Sequence, residues 1–206
     1  MTSLNAPRAT DRRVQRSQHA LQSALFQLML EKGYGNTSVS DITERANVGR
    51  STFYAHFADK EDLLQQCLQG LKGYLTDETL VGPDREGPTH PALSFALPMF
   101  LHAVEQRRLF RSVMEEPNDA PVQHHLQVMF VDLVSERLSP RAQPPSGEVV
   151  LQARFIVGAF LGVLLHWIVE PDAATPEQVD LQFRTMMMGG LSSWATQSVT
   201  RASPDR

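Results

Sequence analysis

The side chains best suited to chemistry lie together between positions 50 and 60. This stretch reads Arg50-Ser-Thr-Phe-Tyr-Ala-His-Phe-Ala-Asp-Lys60 and combines a guanidinium with hydroxyls and an imidazole. Phe53 and Phe57 are four residues apart, so on a helix they share one face and leave the polar groups on the other. A guanidinium can bond guanine through two hydrogen bonds, which makes Arg50 a candidate for contacting base edges. The pattern is typical of a helix that enters a DNA groove.

Two short helices joined by a tight turn must hold this polar face outward. Ser40 is expected to cap the first helix through its hydroxyl, and Ser51 to cap the second. The break between them is Asn47-Val-Gly49, where Gly49 tolerates the positive φ that a sharp turn often needs. The sequence therefore predicts a helix-turn-helix.

Longer helices are expected on both sides of this motif. The first runs from about residue 11 to 32 and ends at Gly33, a residue suited to a helix C-cap. The other runs from about 59 to 80, with Asp59 as its cap and Asp62 three residues later. Its spacing places Cys67 in the core.

The sequence resembles the DNA-binding domain of TetR-family transcriptional regulators. The run that carries the resemblance is Val48-Gly-Arg-Ser-Thr-Phe-Tyr-Ala-His-Phe-Ala-Asp-Lys-Glu-Asp-Leu-Leu64, with further matches between Ala20 and Ala46. The resemblance is strong over roughly residues 10 to 70 and general beyond them. It implies that Arg50 and Ser51 face base edges. It also implies phosphate contacts from a larger set: Thr37, Thr52, Tyr54, His56 and Lys60.

Composition and charge narrow the function classes. The net charge of -4 argues against indiscriminate nucleic-acid binding. The charge is unevenly distributed, because residues 1–72 hold 9 Lys and Arg against 7 Asp and Glu, while residues 73–206 hold 10 against 16. The basic excess therefore lies with the predicted helix-turn-helix. The single Cys excludes an internal disulfide and fits a reducing cytoplasm. No apolar run follows the N-terminal arginines, so we expect no signal peptide and a cytoplasmic protein without a membrane span. The longest apolar run, 155–169, is interpreted as a buried helix.

The remaining chain is expected to be helical, which makes the fold class all-α. We expect a flexible arm at 1–10, the helix-turn-helix domain at 11–58, a connecting helix at 59–82, and a larger helical effector-binding and dimerisation domain at 83–200. The segment 82–88 is a linker by composition. Later helices are expected near 89–105, 107–115, 119–138, 147–170 and 176–199.

The last two helices are expected to form a homodimer. Helix 147–170 is apolar almost all round, so it must be covered on several sides, and TetR-like regulators dimerise through such helices. The candidate interface residues are Gly158, Gly162, Phe183, Met187 and Trp194. The resemblance further implies an apolar effector cavity among the middle helices, although core packing is the better explanation for any one of these residues. The candidate effector contacts are Phe95, Met99, His102, Met114, His125, Met129, Phe155 and His166.

The leading interpretation is a repressor that binds a palindromic operator as a dimer and is released by a small apolar effector. A DNA-binding regulator or architectural protein without a ligand is the alternative. An all-α enzyme or metal-binding protein is a remote one, because the sequence contains no His-Glu-x-x-His, no Cys pair and no Gly-x-Ser-x-Gly. We therefore expect no catalytic residues, no metal and no cofactor.

Overall fold

The computed structural model describes residues 9–77, 87–115, 119–140, 144–170 and 174–201, with the backbone alone for 9–11, 114–115 and 190–201. These residues form helices and no strands, which confirms the all-α prediction. In chain order the α-helices are α1 (Ala9–Lys32), α2 (Val39–Arg45), α3 (Arg50–His56), α4 (Lys60–Thr76), α5 (Ala96–Glu105), α6 (Arg107–Glu115), α7 (Ala120–Leu138), α8 (Gly147–Val169) and α9 (Pro176–Arg201).

The start of α2 differs from the sequence prediction. Its N-cap is Ser38 rather than Ser40. The Ser38 hydroxyl accepts from the Asp41 amide at 3.2 Å, and the Asp41 carboxylate accepts from the Ser38 amide at 2.8 Å, which completes a capping box. Lys32 at the end of α1 also reaches Asp41, at 2.9 Å. The pKa of Asp41 is held well below its usual range, mainly by the hydrogen bond from the Ser38 hydroxyl and next by the contact with Lys32.

The turn between α2 and α3 also differs from the prediction. Gly49 is the N-cap of α3 and has a φ of -65°, so Ser51 lies inside the helix and caps nothing there. The left-handed residue is Asn47, with a φ of 51°. Asn visits this region more readily than most residues because its short polar side chain can bond locally. The positive φ that the sharp turn needs is therefore supplied two residues earlier than expected.

Other local predictions are confirmed. Gly33 ends α1 with a φ of 77°. Asp59 caps α4, since its Oδ1 accepts from the Asp62 amide at 2.8 Å, and Asp62 Oδ2 accepts from the Ala58 amide at 2.8 Å. Cys67 differs from the prediction, since it is half-buried and not a fully buried core residue. Burial nevertheless raises its pKa to about 12, so its thiol stays protonated near neutral pH and is poorly suited to redox sensing.

The chain divides into two compact units, and neither is a single stretch of sequence. The first combines Met1–Gly70 with Ser112–His125, and the second combines Leu71–Arg111 with Leu126–Arg206. The expected boundaries differ from this division in two ways. The change of unit falls within α4, and the residues around the start of α7 join the helix-turn-helix.

In the first unit α1 packs against α2 and α3. Leu21 and Leu25 of α1, Ile42 of α2 and Phe53 of α3 are fully buried and form the centre of this core. A bidentate ion pair joins Arg45 to Glu31, with N–O distances of 2.7 and 2.6 Å, and holds the end of α2 on α1. The short helices of the motif therefore lie on the long helix that precedes them.

In the second unit an aromatic cluster surrounds Phe160 of α8. The Phe160 ring centroid lies 4.8 Å from Phe95, 5.1 Å from Phe100, 5.6 Å from Phe130 and 5.5 Å from Phe183. All five side chains are at most 1% exposed. One ring from each of α7, α8 and α9 and two from the α5 region therefore meet directly.

The predicted helix 89–105 is divided. A 3-10 helix occupies Pro91–Leu93, where the His90 imidazole accepts from the Ala92 amide at 3.1 Å, and α5 begins only at Ala96.

α8 is the one helix among the described residues that is long and apolar enough to cross a membrane by length and composition alone. One face of it packs inside this unit through Ala153, Ile156, Val157, Phe160, Leu164, Trp167 and Ile168.

Candidate nucleic-acid interface

The recognition helix, α3, is fixed to the core by two phenylalanines. Phe53 is 0% exposed and Phe57 is 1% exposed, with ring centroids 5.6 Å apart. Tyr54 packs edge-on against Phe53 at 5.3 Å, yet 59% of its surface is exposed. The inward and outward faces are therefore those that the four-residue spacing predicted.

The outer side of α3 carries most of the predicted DNA contacts. Arg50, Ser51 and Tyr54 are exposed, and Thr52 and His56 are half-buried. The Arg50 guanidinium donates a hydrogen bond to the Ser40 hydroxyl of α2. An open depression of about 530 Å³ lies beside it, lined by Ser40, Thr43, Glu44, Asn47, Val48, Gly49 and Arg50.

Thr37 and Lys60 are placed differently from the other candidates. Thr37 is 3% exposed and its hydroxyl donates to the Gly33 carbonyl at 2.8 Å. The Lys60 ammonium donates to the Tyr34 carbonyl at 2.8 Å and to the Thr37 carbonyl at 2.7 Å, and it lies 4.0 Å from the centre of the Tyr34 ring. Burial lowers the pKa of Lys60, opposed by the charge of Asp119. In this structure both side chains hold the α1–α2 turn.

Sequence reasoning missed Asp119. Its side chain is 0% exposed, and its Oδ1 accepts from the Tyr34 amide at 2.7 Å and lies 3.4 Å from the Gly35 amide. A lone acidic residue at a helix start predicts only a local cap. The partner is 85 residues away in sequence, so no local pattern could have revealed it.

A basic surface extends along the first turns of α1. Arg12, Arg13, Arg16 and His19 are all exposed, and the first buried side chain described in this helix is Leu21. Residues 12, 16 and 19 follow the spacing of one helical face. The helix therefore carries positive charge on turns that contribute little to the core.

The predicted effector contacts are divided between the two units and differ in burial. Phe95, Met99 and Met129 are buried in the second unit, and the Met114 side chain lies outside those described. His102 is half-buried between Tyr74, at 5.5 Å, and Phe110, at 5.8 Å. Burial lowers the pKa of His102, opposed by the Glu105 charge, so its imidazole is neutral near pH 7.

Three other effector candidates lie elsewhere. His125 belongs to the first unit, where its Nε2 lies 3.0 Å from a carboxylate oxygen of Glu61. Phe155 is 58% exposed and His166 is also exposed, because both lie on the side of α8 away from the aromatic cluster. An all-round apolar helix gives no sequence signal for which side faces the core.

The exposed side of α8 forms a continuous face, which we call the α8 outer face. Its members follow helical spacing and are Leu151, Phe155, Gly158, Gly162, His166 and Val169. A Cβ built on either glycine meets no atom within 4 Å, so another backbone has room to approach. On α9, Phe183 and Met187 are buried within the unit, whereas Met186 is 61% exposed. The Trp194 side chain lies outside those described.

Among the described residues, no group of three or more His, Cys, Asp or Glu side chains could hold a metal ion.

Comparison with known proteins identifies the family. Residues 21–67 match the bacterial regulatory proteins of the tetR family, and residues 92–189 match a transcriptional regulator C-terminal region. The chain belongs to the TetR family. Members of this family are transcription regulators, and the match over residues 21–67 includes the helix-turn-helix.

TetR-family relatives share parts of this sequence. The uncharacterized HTH-type transcriptional regulator YxbF of Bacillus subtilis is 30% identical over 84% of this chain and 45% of its own length. The biofilm operon icaADBC negative regulator IcaR of Staphylococcus epidermidis is 26% identical over 53% of this chain and 60% of its own. This chain thus spans about half the length of the curated relatives it matches.

Solved TetR-family structures share the fold. A TetR regulator from Streptococcus agalactiae superposes with a TM-score of 0.58 and 23% identity, covering 86% of this chain and 96% of its own. NalD, the secondary repressor of the MexAB-OprM multidrug efflux pump in Pseudomonas aeruginosa, gives a TM-score of 0.57 and 21% identity, covering 87% of this chain and 97% of its own.

Proposed function

We propose that this cytoplasmic regulator represses transcription by binding a near-palindromic operator as a homodimer, and that a small apolar effector releases it. The observation that carries the proposal is the recognition helix, whose inner face is locked by Phe53 and Phe57 while Arg50, Ser51 and Tyr54 are exposed. The printed names of IcaR, a negative regulator, and NalD, a repressor, favour repression over activation.

Dimerisation is supported by the α8 outer face. Leu151 and Phe155 are 59% and 58% exposed on one helix, beside glycines that leave room for close helix approach. Pairing two copies through this face covers an apolar surface that a single chain leaves in water. A two-fold dimer can place two recognition helices about one DNA turn apart, roughly 34–36 Å, which selects a palindrome.

Arg50 is proposed as the main specificity residue. It is exposed at the start of α3, and its bond to Ser40 can be exchanged for a bidentate bond to guanine. We expect Arg50→Ala to relax preference at one base position in each half-site, at a cost of about 1–3 kcal/mol per contact. Selection of binding sites from a randomised DNA pool measures this, with Arg108→Ala as the control because this exposed arginine lies on α6 in the second unit. Unaltered preference at every position would remove Arg50 from the base contacts.

The basic surface of α1 is proposed to contact the DNA backbone. Replacing Arg12, Arg13 and Arg16 together with Gln should weaken binding to all sequences alike, because phosphate contacts carry no sequence information. The slope of log affinity against log salt should flatten by about 0.9 for each phosphate that a protomer no longer neutralises. Salt titrations of operator and random duplexes measure both effects. The same slope in variant and wild type would show that these arginines remain solvated when DNA is bound.

Phosphate contacts from Thr52, Tyr54, His56 and Lys60 stay part of the proposal, as does one from Thr37. The first three present exposed or half-buried groups on α3. The Lys60 ammonium has three N–H groups, and two of them are directed at carbonyls. A phosphate would accept from the third. Thr37 would have to redirect a hydroxyl that is bonded to Gly33.

A regulator that does not respond to a small molecule is the second candidate. The aromatic cluster favours it, because Phe160 meets four other rings at 4.8–5.6 Å in the region where a cavity was predicted. A thermal-shift screen of apolar metabolites separates the two. Stabilisation that also lowers operator affinity supports an effector, and no stabilisation by any compound supports the second candidate.

A further inference from the structure

The short turn between α1 and α2 is held by two side chains of opposite charge. Asp119 approaches its amide side, accepting from Tyr34 at 2.7 Å with Gly35 at 3.4 Å. Lys60 bonds its carbonyl side, donating to Tyr34 at 2.8 Å and Thr37 at 2.7 Å. Both faces of one turn are therefore satisfied by groups that come from elsewhere in the first unit.

The burial of Asp119 needs an explanation. A carboxylate removed from water is costly unless hydrogen bonds and an opposite charge compensate for it. Asp119 is 0% exposed, and within the described part of the chain its Oδ2 has no hydrogen-bond partner. Backbone amides and the Lys60 charge compensate for part of the cost. An apolar residue would avoid the cost but could not bond the turn.

The turn is joined to every part of the helix-turn-helix. Gly33 ends α1, and Ser38 caps α2 immediately after the turn. Lys60 is the first residue of α4, three positions after the C-cap of α3, Phe57. A change in the turn would therefore alter the angle between α1 and α2 and the anchor that follows the recognition helix.

A second link ties the same two parts of the first unit together. The His125 imidazole lies 3.0 Å from the Glu61 carboxylate, next to Lys60 at the start of α4. Asp119 and His125 belong to one short segment, Ser112–His125, which packs with the helix-turn-helix although the chain before and after it belongs to the second unit. This segment is thus placed to support the motif.

We propose that Asp119 is a positioning residue for the recognition helix: by bonding the α1–α2 turn opposite Lys60, it sets the pose in which α3 fits its operator. Because its side chain is fully buried, Asp119 acts through the turn and not through DNA. This inference rests on the proposed function, since it assumes a sequence-specific operator. It assigns part of the specificity to a residue far from the recognition helix in sequence.

The test compares two affinities of the full chain. The operator is the duplex that the wild-type protein selects from a randomised pool, and the reference is a random duplex of equal length. We expect Asp119→Ala to lower the ratio of operator to random affinity at least tenfold. Asp119→Asn should retain most of the ratio, because its amide oxygen can still accept from Tyr34. Asp132→Ala, which removes an exposed carboxylate on α7, is the matched control and should change nothing.

The ratio separates positioning from stability. A variant that is merely less stable loses folded protein, which lowers both affinities by the same factor and leaves the ratio unchanged. An unchanged ratio for Asp119→Ala would therefore overturn the proposal, whatever its melting temperature. If Asp119→Ala does not fold, Asp119→Val decides, because a valine fills the buried position but cannot accept from the Tyr34 amide. A reduced ratio then supports the proposal, and an unchanged ratio contradicts it. If the wild-type chain selects no sequence at all, the proposed function fails instead.

Discussion

Replacing Phe155 with glutamate is expected to convert the dimer into folded monomers and to abolish operator binding. Phe155 is 58% exposed on the α8 outer face, so the change leaves the core of the chain intact. In a dimer it would bury an unpaired carboxylate, which costs several kcal/mol per ion. A loss of about 4 kcal/mol weakens association roughly a thousandfold. Sedimentation equilibrium and an operator-binding titration measure the two effects.

Val104→Glu provides the control for this experiment. Val104 is 46% exposed on α5, in the same unit as Phe155, and lies outside the α8 outer face. This variant should remain dimeric and bind the operator as the wild type does. A dimeric Phe155→Glu protein, or an equally monomeric Val104→Glu protein, would show that the interface lies on another surface.

Replacing Phe160 with alanine is expected to destabilise the second unit by about 3–5 kcal/mol, the usual range for a buried phenylalanine. Phe160 is 0% exposed and contacts four other aromatic rings, so truncation leaves a cavity that its neighbours cannot readily fill. Urea unfolding followed by circular dichroism gives the free energy. Phe26→Ala, at a position that is 37% exposed, should cost far less. Equal costs at the two positions would mean that the rings around Phe160 repack without loss.

Local patterns were sufficient for the two faces of the recognition helix and for the start of α4. The four-residue spacing of Phe53 and Phe57 predicted both faces of the recognition helix, and the Asp59–Asp62 pair predicted the start of α4. These predictions hold because each depends on groups within one helical turn. They covered most of the outer side of α3, which is proposed to face DNA.

Local patterns failed where several residues suited the same role. Ser38 and Ser40 could each cap α2, and Asp41 decided for Ser38 through a capping box that the Lys32 ion pair reinforces. Asn47 and Gly49 could each take a positive φ, and the hydrogen bonds of the turn assign it to Asn47. Hydrogen bonds within α2 and its turn, together with the Lys32 ion pair, therefore decided between residues that suit the same role.

Non-local contacts could not be predicted from periodicity. Phe155 was predicted to be an effector contact, but the apolar sequence of α8 does not indicate which side faces outward, and the packing of Phe160 shows it. The bond between Asp119 and Tyr34 joins positions 85 residues apart. Neither residue carries a local feature that indicates its partner.

The interrupted order of the first unit has a consequence for synthesis. Ribosomes add roughly 5–20 residues per second, so the residues after Gly70 that complete this unit, which end at His125, emerge roughly 3–11 seconds later. During that interval Lys60 can bond the α1–α2 turn, but the amides of Tyr34 and Gly35 lack the Asp119 carboxylate. A nascent chain therefore cannot finish its DNA-binding unit before α5 and α6 have been made, which delays DNA binding until much of the second unit exists.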